Sequence, residues 1–251
     1  MALAVEDGSP FAEALAEQRR GWESRPFVRA LYHEWFARME ARLADVEGPT
    51  IELGAGIGAF KEFRPATVAT DALATRWADE VVDAERLPYP DASVANLVMI
   101  DVLHHLPHPA RSLAEAERVL RPGGRLVALE PYCSPLSGVA YRAFHHESVD
   151  MKVDPFRVEA QSGGYPLDAN GALPTLIFWR RLDRLRERHP ALEVVDRERL
   201  ALLAYPLSGG LTKRRLLPLR LLRLTRRLEH VLAPLAPLMA FRCLVTLERR
   251  R

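Results

Sequence analysis

The sequence has few of the features that mark secreted or membrane-spanning proteins. Its 251 residues include two cysteines, Cys133 and Cys243, which are too few for a disulfide framework and suit a reducing compartment. No segment approaches the ~20 consecutive apolar residues that a bilayer-spanning helix needs. The first residues also lack the basic and then apolar order of a signal peptide. Together these absences predict a cytoplasmic protein.

An excess of charge of one sign is also missing. The chain has 35 lysines and arginines against 33 aspartates and glutamates, which gives a formal net charge of +2. Such a balance argues against a general nucleic-acid-binding protein, so no nucleic-acid partner is expected. Hydrophobic residues make up 48% of the chain, and its length suits one α/β domain with an additional segment.

Short apolar segments alternate with helical patterns along the chain. The predicted strands are 50–53, 67–70, 80–82, 97–100, 125–129, one within 192–204, and 239–248. The predicted helices are 11–20, 26–45, 59–63, 109–120, 174–188 and 213–232. This alternation favours a parallel, doubly wound sheet. Only about nine residues separate the second and third strands, which is too few for a regular crossover helix. Either a loop around Trp77 makes the connection, or the third strand is misplaced.

A glycine-rich turn follows the first strand. Gly54, Gly56 and Gly58 form a G-x-G-x-G pattern, and glycine lets the backbone turn sharply and approach a nucleotide-like cofactor. Ala59 also completes the G-x-G-x-x-(G/A) dinucleotide pattern, so an NAD-linked oxidoreductase is an alternative. In either case Asp71, at the end of the next strand, can accept both ribose hydroxyls of an adenosine.

Two further segments separate these alternatives. Residues 82–88 read Val-Asp-Ala-Glu-Arg-Leu-Pro and place Asp83 after the third strand, and residues 120–124 read Leu-Arg-Pro-Gly-Gly. With the glycine turn and the Asp-x-Leu-His-His-Leu segment at 101–106, they resemble the class I S-adenosylmethionine (SAM)-dependent methyltransferases. The pattern looks closest to the small-molecule branch with type 11-like domains. The resemblance covers residues 50–131.

The resemblance implies a fold and a division of the chain. The fold is an α/β, doubly wound, Rossmann-like sheet of seven strands whose last strand is antiparallel. The implied parts are an N-terminal helical lid (1–48), a SAM-binding core (49–131), an inserted acceptor cap (132–173) and the C-terminal part of the core (174–251). The implied cofactor is SAM, with S-adenosylhomocysteine (SAH) as the product and no metal.

The resemblance also implies a set of cofactor contacts. Asp83 and the following backbone N–H are expected to read the adenine, and Glu52 and Asp101 are expected to lie near the methionine part or the reacting centre. Capping of local backbone groups is the alternative role for these two carboxylates. The implied cofactor-binding residues are Glu52, Gly54, Ala55, Gly56, Asp71, Ala72, Asp83, Ala84, Glu85 and Asp101.

Several residues are candidates for handling the methyl acceptor. Methyl transfer needs alignment of the acceptor with the methyl group, and a base only where the acceptor must lose a proton. His105, His145 and His146 are candidate bases, and the two cap histidines, with Tyr132 and Tyr141, are candidate substrate contacts. Structural roles for all of them stay open. The His145-His146-Glu147 run is not expected to bind a metal, because adjacent residues rarely converge on one ion.

These patterns predict a SAM-dependent methyltransferase (EC 2.1.1) that acts on O or N of a small-molecule or lipid- or glycan-linked acceptor. The alternatives are an NAD-linked oxidoreductase and a non-catalytic partner protein with the same fold. No pattern indicates an oligomeric state.

The segment 213–232 is the most basic part of the chain. Residues 211–230 contain seven lysines and arginines and one acid, Glu229, and Leu217, Leu221, Leu224 and Leu228 form a helical stripe. We expect the leucine stripe to pack on the sheet and the arginines to face the solvent. The alternatives are peripheral contact with an anionic membrane at its inner face or binding of a phosphate on the acceptor.

Overall fold

The computed structural model describes residues 9–144, 148–157 and 169–250. The strands are β1 (Thr50–Leu53), β2 (Val68–Asp71), β3 (Glu80–Val81), β4 (Val94–Ile100), β5 (Leu120–Pro131), β6 (Leu192–Leu200) and β7 (Arg242–Arg249). They form one sheet in the order β3-β2-β1-β4-β5-β7-β6. Strands β1 to β5 are parallel to one another, whereas β7 is antiparallel to both β5 and β6. The predicted seven-strand sheet with an antiparallel last strand is therefore confirmed.

Helices cover both faces of this sheet. The α-helices are α1 (Pro10–Ser24), α2 (Pro26–Glu40), α3 (Ala59–Phe63), α4 (Pro109–Val119), α5 (Pro135–Phe144), α6 (Leu173–Thr175), α7 (Leu182–Arg188), α8 (Ala204–Ser208), α9 (Leu219–Leu232) and α10 (Ala236–Met239). Short 3₁₀ turns span Leu103–His105 and Ala233–Leu235, and a π-helical turn spans Leu176–Arg180. In the described part of the chain, none of these helices has the length and hydropathy to cross a bilayer.

Alternation along the central strands explains the two-sided packing. On β4, Leu97 and Met99 belong to a buried cluster that includes Leu113 of α4. Val98, between them, belongs to a second cluster with Phe36 of α2. Successive strand residues point to opposite faces, so an apolar run of this kind is stable only where helices cover both faces.

The second and third strands are joined without a helix. Residues 72–79 form turns and loop, and Asp79 closes this loop because its N–H donates to Ala69 O at 2.7 Å and its Oδ2 accepts from Ala69 N at 2.8 Å. Trp77 lies within the loop, beside Gly58, where an added Cβ would lie 3.0 Å from Trp77 Cβ. A loop around Trp77 therefore makes the crossover, and the third strand is in its predicted place.

Three predicted elements near the C-terminus have different bounds in the structure. The helix predicted at 213–232 begins only at Leu219, because Pro218 occupies its N-cap in an extended conformation. The helix predicted at 174–188 is interrupted by the π-helical turn and ends in α7. The last strand begins at Arg242 instead of residue 239, since α10 occupies the preceding residues.

Candidate functional site

A cavity of about 410 Å³ lies at the carboxyl edge of the parallel strands. Its floor comes from the residues that follow β1, β2, β3 and β4, and α1 covers it with Phe11, Leu15 and Trp22. Ligands of open α/β sheets bind at this edge, where the loops after neighbouring strands diverge. The cavity is therefore the candidate functional site.

The glycine turn after β1 brings backbone to the cavity surface. Gly54 has a φ of +70°, and a Cβ on it would lie 2.5 Å from Val102 Cγ2, so both backbone conformation and packing exclude larger residues here. Gly56 has a φ of +53°, and Ala55 between them donates its N–H to Thr70 O at 2.8 Å. The predicted contacts Gly54, Ala55 and Gly56 all line the cavity.

Asp71 fixes the position of this turn. Its Oδ2 accepts a hydrogen bond from Gly56 N at 3.0 Å, and its Oδ1 accepts one from Leu73 N at 3.1 Å. The residue is 7% exposed, and burial raises the pKa of its carboxyl group although the backbone N–H donors oppose that shift. Asp71 and the adjacent Ala72 line the cavity together.

Glu52 is a buried carboxyl group at the site with a strongly raised pKa. It is 2% exposed and lines the cavity, and its Oε2 has no hydrogen-bond partner among the described residues. Burial, with a further contribution from the negative charge of Asp71, raises the pKa of Glu52 to about 8. A buried carboxyl oxygen without a donor is costly, so a ligand that supplies a cationic donor would be stabilised here.

The loop after β3 reaches the cavity through two small apolar groups. Val82 and Ala84 line it, whereas Asp83 is solvent-exposed and its Oδ1 accepts from Glu85 N at 2.8 Å. The Glu85 carboxylate turns toward α4, because its Oε1 accepts from His108 N at 2.6 Å. The side chain of Glu85 therefore holds the start of α4, and neither of the predicted contacts Asp83 and Glu85 is among the lining residues of the described chain.

Asp101 and Arg242 meet at the far end of the cavity. Asp101 follows β4 with a φ of +58°, and its Oδ1 lies 2.8 Å from Nη2 of Arg242. Both residues line the cavity. Our sequence reasoning missed Arg242, although a charged residue at the start of an apolar strand was an available signal.

A buried Glu130–His104 pair supports the same loop. His104 Nδ1 lies 2.6 Å from Glu130 Oε2, and Glu130 Oε1 accepts from Val102 N at 2.9 Å and Leu103 N at 2.8 Å. Sequence reasoning missed Glu130, which lies near the end of β5. Ligand atoms of Asp101, His104 and Glu130 lie within 4.8 Å of one another. All three are engaged within the chain, and the guanidinium beside Asp101 opposes a second cation.

The candidate acceptor residues fall into three groups. His105 and Tyr141 line the cavity, and Tyr141 Oη donates to Phe241 O at 2.6 Å. Tyr132 is not among the lining residues of the described chain, since it packs edge-on against Trp179 with the ring centroids 5.0 Å apart. Tyr132 therefore belongs to the buried core and not to the cavity surface. His145 and His146 lie outside the described residues.

The central segment of the chain is similar to known methyltransferases. Residues 62–128 match the family model described as a methyltransferase domain. An uncharacterized 37.1 kDa protein of a Streptomyces fradiae transposon is 38% identical over 104 residues, which cover 39% of this chain and 30% of that protein. The 27-O-demethylrifamycin SV methyltransferase of Amycolatopsis mediterranei is 51% identical over 47 residues, 19% of this chain and 17% of that enzyme. The matches thus span less than a third of these relatives.

A solved structure extends the likeness to the fold. The geranyl diphosphate C-methyltransferase of Streptomyces coelicolor A3(2) superposes with a TM-score of 0.52 at 11% identity, over 88% of this chain and 76% of that chain. At this identity the likeness concerns the fold alone. The chain has the fold of the class I SAM-dependent methyltransferases, as the sequence resemblance predicted, and its residues 62–128 match the methyltransferase-domain model.

Proposed function

We propose that this chain is a SAM-dependent methyltransferase that acts on O or N of a small-molecule or lipid- or glycan-linked acceptor. The observation that carries the proposal is the buried Glu52 carboxyl, whose Oε2 lacks a partner in the described chain and faces a cavity beside the glycine turn. SAM and SAH carry an ammonium group, and an ammonium donor fits an unpaired buried carboxylate. The methyltransferase-domain match at 62–128 favours this reading over the NAD-linked alternative.

The residues around the cavity suit the other parts of the cofactor. The Gly54–Gly56 backbone and Glu52 would hold the methionine part, Asp71 would accept the ribose hydroxyls, and Val82 and Ala84 would flank the adenine. When bound, SAM supplies an electrophilic methyl group on a sulfonium. The chain itself orients the acceptor and excludes water, and the apolar residues of α1 over the cavity serve that second task.

Transfer to a hydroxyl requires a group that can take a proton. His105 lines the cavity, with its ring centroid 4.2 Å from that of His104, and His104 is in turn held by the buried carboxylate of Glu130. A histidine supported in this way suits general base catalysis near neutral pH. We therefore retain His105 as the proposed base, and Tyr141 as a proposed acceptor contact.

Asp71→Asn is expected to weaken SAH binding by about ten- to a hundredfold, because hydrogen bonds to a charged acceptor contribute roughly 1.5–3 kcal/mol. Asparagine keeps the size of the side chain and one acceptor oxygen for the glycine turn. Calorimetric titration of the purified protein with SAM and with SAH measures the effect, and NADH is the control ligand.

Asp91→Asn is the matched control variant, since the Asp91 side chain is 78% exposed and pairs with Arg118 away from the cavity. It should bind SAH like the wild type. Unchanged SAH affinity in Asp71→Asn would remove Asp71 from the site. Binding of NADH without binding of SAM or SAH would overturn the proposed function itself.

We also propose that α9 and the segment before it contact an anionic membrane surface. The packing that we favoured from sequence is wrong for most of the stripe: Leu221, Leu224 and Leu228 are 43%, 49% and 44% exposed. The residues that α9 buries are instead Leu222 and Thr225.

The exposed stripe continues beyond α9 and has basic neighbours. Leu221, Leu224 and Leu228 form an apolar ridge on α9, and Val231, Leu235 and Leu238, which follow them in the chain, are also exposed. Arg220, Arg223 and Arg227 are exposed on the same helix. An apolar ridge beside guanidinium groups matches a surface of anionic lipid, where both burial and charge favour binding.

Leu224→Asp combined with Leu228→Asp is expected to reduce binding to mixed phosphatidylcholine–phosphatidylglycerol vesicles by about tenfold or more, because two carboxylates replace apolar groups that would enter the interface. Co-sedimentation measures it, and wild-type binding should fall at high salt. Val195→Asp, on the exposed β6, is the control. The proposal would be contradicted if the wild type did not bind anionic vesicles, or if the double variant bound them as strongly as the wild type.

A further inference from the structure

Arg242 is buried in the wall of the cavity. It opens β7, where it pairs with Pro131 of β5 and Leu200 of β6. The residue is 4% exposed and lines the cavity together with Asp101. Because β7 runs antiparallel to β5, its first residue lies at the carboxyl edge of the parallel strands. The sheet topology thus brings a guanidinium to the edge where the proposed acceptor would bind.

The guanidinium is incompletely paired. A guanidinium has five N–H donors and no acceptor, yet Nε and Nη2 of Arg242 are buried and have no well-aligned hydrogen-bond partner among the described residues. The close approach of Nη2 to Asp101 Oδ1, at 2.8 Å, gives charge attraction without a hydrogen bond of good geometry. Unmade hydrogen bonds of a buried charged donor are costly, so the arrangement favours an additional acceptor oxygen.

The charge of Arg242 is retained in this setting. Burial acts to lower its pKa, but the neighbouring Asp101 carboxylate and the hydroxyls of Tyr32 and Tyr205 outweigh that effect and hold the pKa of Arg242 well above its usual value. The guanidinium carbon also lies 5.6 Å from the ring centroids of Trp35 and Tyr205, where cation–π attraction contributes. The site therefore presents a permanent positive charge.

Aromatic side chains also line the cavity. Trp22, Tyr32, Phe36 and Tyr205 line it, and Tyr32 and Tyr205 contact each other edge-on with ring centroids 6.0 Å apart. Aromatic side chains offer large apolar contact areas with defined geometry. A planar apolar body fits such a wall, and the guanidinium fits an anionic oxygen at its end.

We propose that Arg242 binds an anionic oxygen of the methyl acceptor, so that the acceptor is a planar apolar molecule bearing a carboxylate or an acidic hydroxyl. This inference rests on the proposed function, because it assigns the acceptor part of the same cavity. Asp101 then competes with the acceptor for Arg242 and occupies the guanidinium while the acceptor is absent. Of the three carboxyl groups that line the cavity, Glu52 would accept a cationic donor, whereas Asp101 neutralises the guanidinium of Arg242.

The test compares two small probes of the same shape. Purified full-length protein, with and without SAH, is titrated with benzoate and with the neutral benzamide, and binding is measured by calorimetry and tryptophan fluorescence. We expect wild-type protein to prefer benzoate by about tenfold or more, as for a charge-assisted pair. Arg242→Met should abolish the preference. Asp101→Asn should strengthen benzoate binding, since it removes the competing carboxylate.

The two variants act in opposite directions, which separates this inference from a purely structural ion pair. If Arg242→Met does not fold, as judged by circular dichroism, Asp101→Asn decides: unchanged or weaker benzoate binding overturns the inference. Equal binding of both probes by the wild type also overturns it. Normal SAH binding without a benzoate preference would reject this inference and leave the proposed function standing.

A third probe distinguishes the two sources of the anionic oxygen. The neutral and anionic forms of 4-nitrophenol have different absorption spectra. A shift toward the spectrum of the anion on binding would therefore show that the site ionises the bound hydroxyl. Loss of that shift in Arg242→Met would assign the acidic hydroxyl, and a benzoate preference without the shift would assign the carboxylate. Both results presuppose that the wild type prefers benzoate, and absence of that preference contradicts the inference whatever the spectral shift.

Discussion

Replacing Glu52 with glutamine is expected to stabilise the protein at pH 8 by roughly 4 kcal/mol and, at the same time, to weaken SAH binding by about tenfold or more. In the folded chain burial raises the pKa of Glu52 from its ordinary 4.5 to about 8. The unfolded chain thus ionises this group first, and the free energy of unfolding falls as pH rises from 4.5 to 8. The slope is at most about 1.4 kcal/mol per pH unit, and above pH 8 it vanishes.

Urea unfolding of the wild type and Glu52→Gln across this pH range measures the effect on stability. The two curves should separate as pH increases, because glutamine carries no charge to bury. SAH titrations over the same range test function: wild-type affinity should rise toward pH 8, where Glu52 ionises, and the variant should show a flat profile. Parallel stability curves would mean that Glu52 ionises in the folded chain as readily as in the unfolded one.

Glu130→Ala is expected to lower the free energy of unfolding by roughly 4 kcal/mol, with a fall in Tm of about 10 °C. Glu130 is 0% exposed, and its carboxylate accepts from Val102 N and Leu103 N and lies 2.6 Å from His104 Nδ1. Alanine would leave these buried donors without their acceptor, and each such donor costs about 1–3 kcal/mol.

Thermal and urea unfolding of Glu130→Ala and Glu130→Gln test this expectation together. Glutamine keeps an oxygen for the two backbone N–H groups, so its loss of stability should be about half as large. Glu193→Ala is the control, because that side chain is 56% exposed and pairs with Arg250 at the surface. A loss in Glu130→Ala no greater than in Glu193→Ala would show that water or local rearrangement replaces the missing acceptor.

These two glutamates illustrate how the cavity edge is built. Glu130 is fully paired within the chain and holds the loop after β4 in place. Glu52 is buried with an unpaired oxygen, and we read that cost as the basis of cofactor binding. Both lie at the carboxyl edge of the parallel strands. The fold supplies the hydrogen-bond donors for Glu130, whereas a bound ligand would supply the donor for Glu52.

The sequence by itself determined the elements whose signals are local. An apolar strand, a glycine turn and an acid at the end of the next strand lie within residues 51–71, so short-range patterns sufficed to predict that Gly54 and Asp71 belong to one site. The structure brings them together through the hydrogen bond from Gly56 N to Asp71 Oδ2. The parallel sheet followed from the same alternation of strands and helices.

Only the tertiary structure decided which distant residues complete the cavity. Asp101 and Arg242 meet because β7 lies between β5 and β6, and strand order is set by long-range pairing, which local patterns do not encode. The same holds for α9. The periodicity of its sequence allows either the Leu221–Leu224–Leu228 face or the Leu222–Thr225 face to be buried. The elements that α9 packs against in the fold decide that the Leu222–Thr225 face is buried.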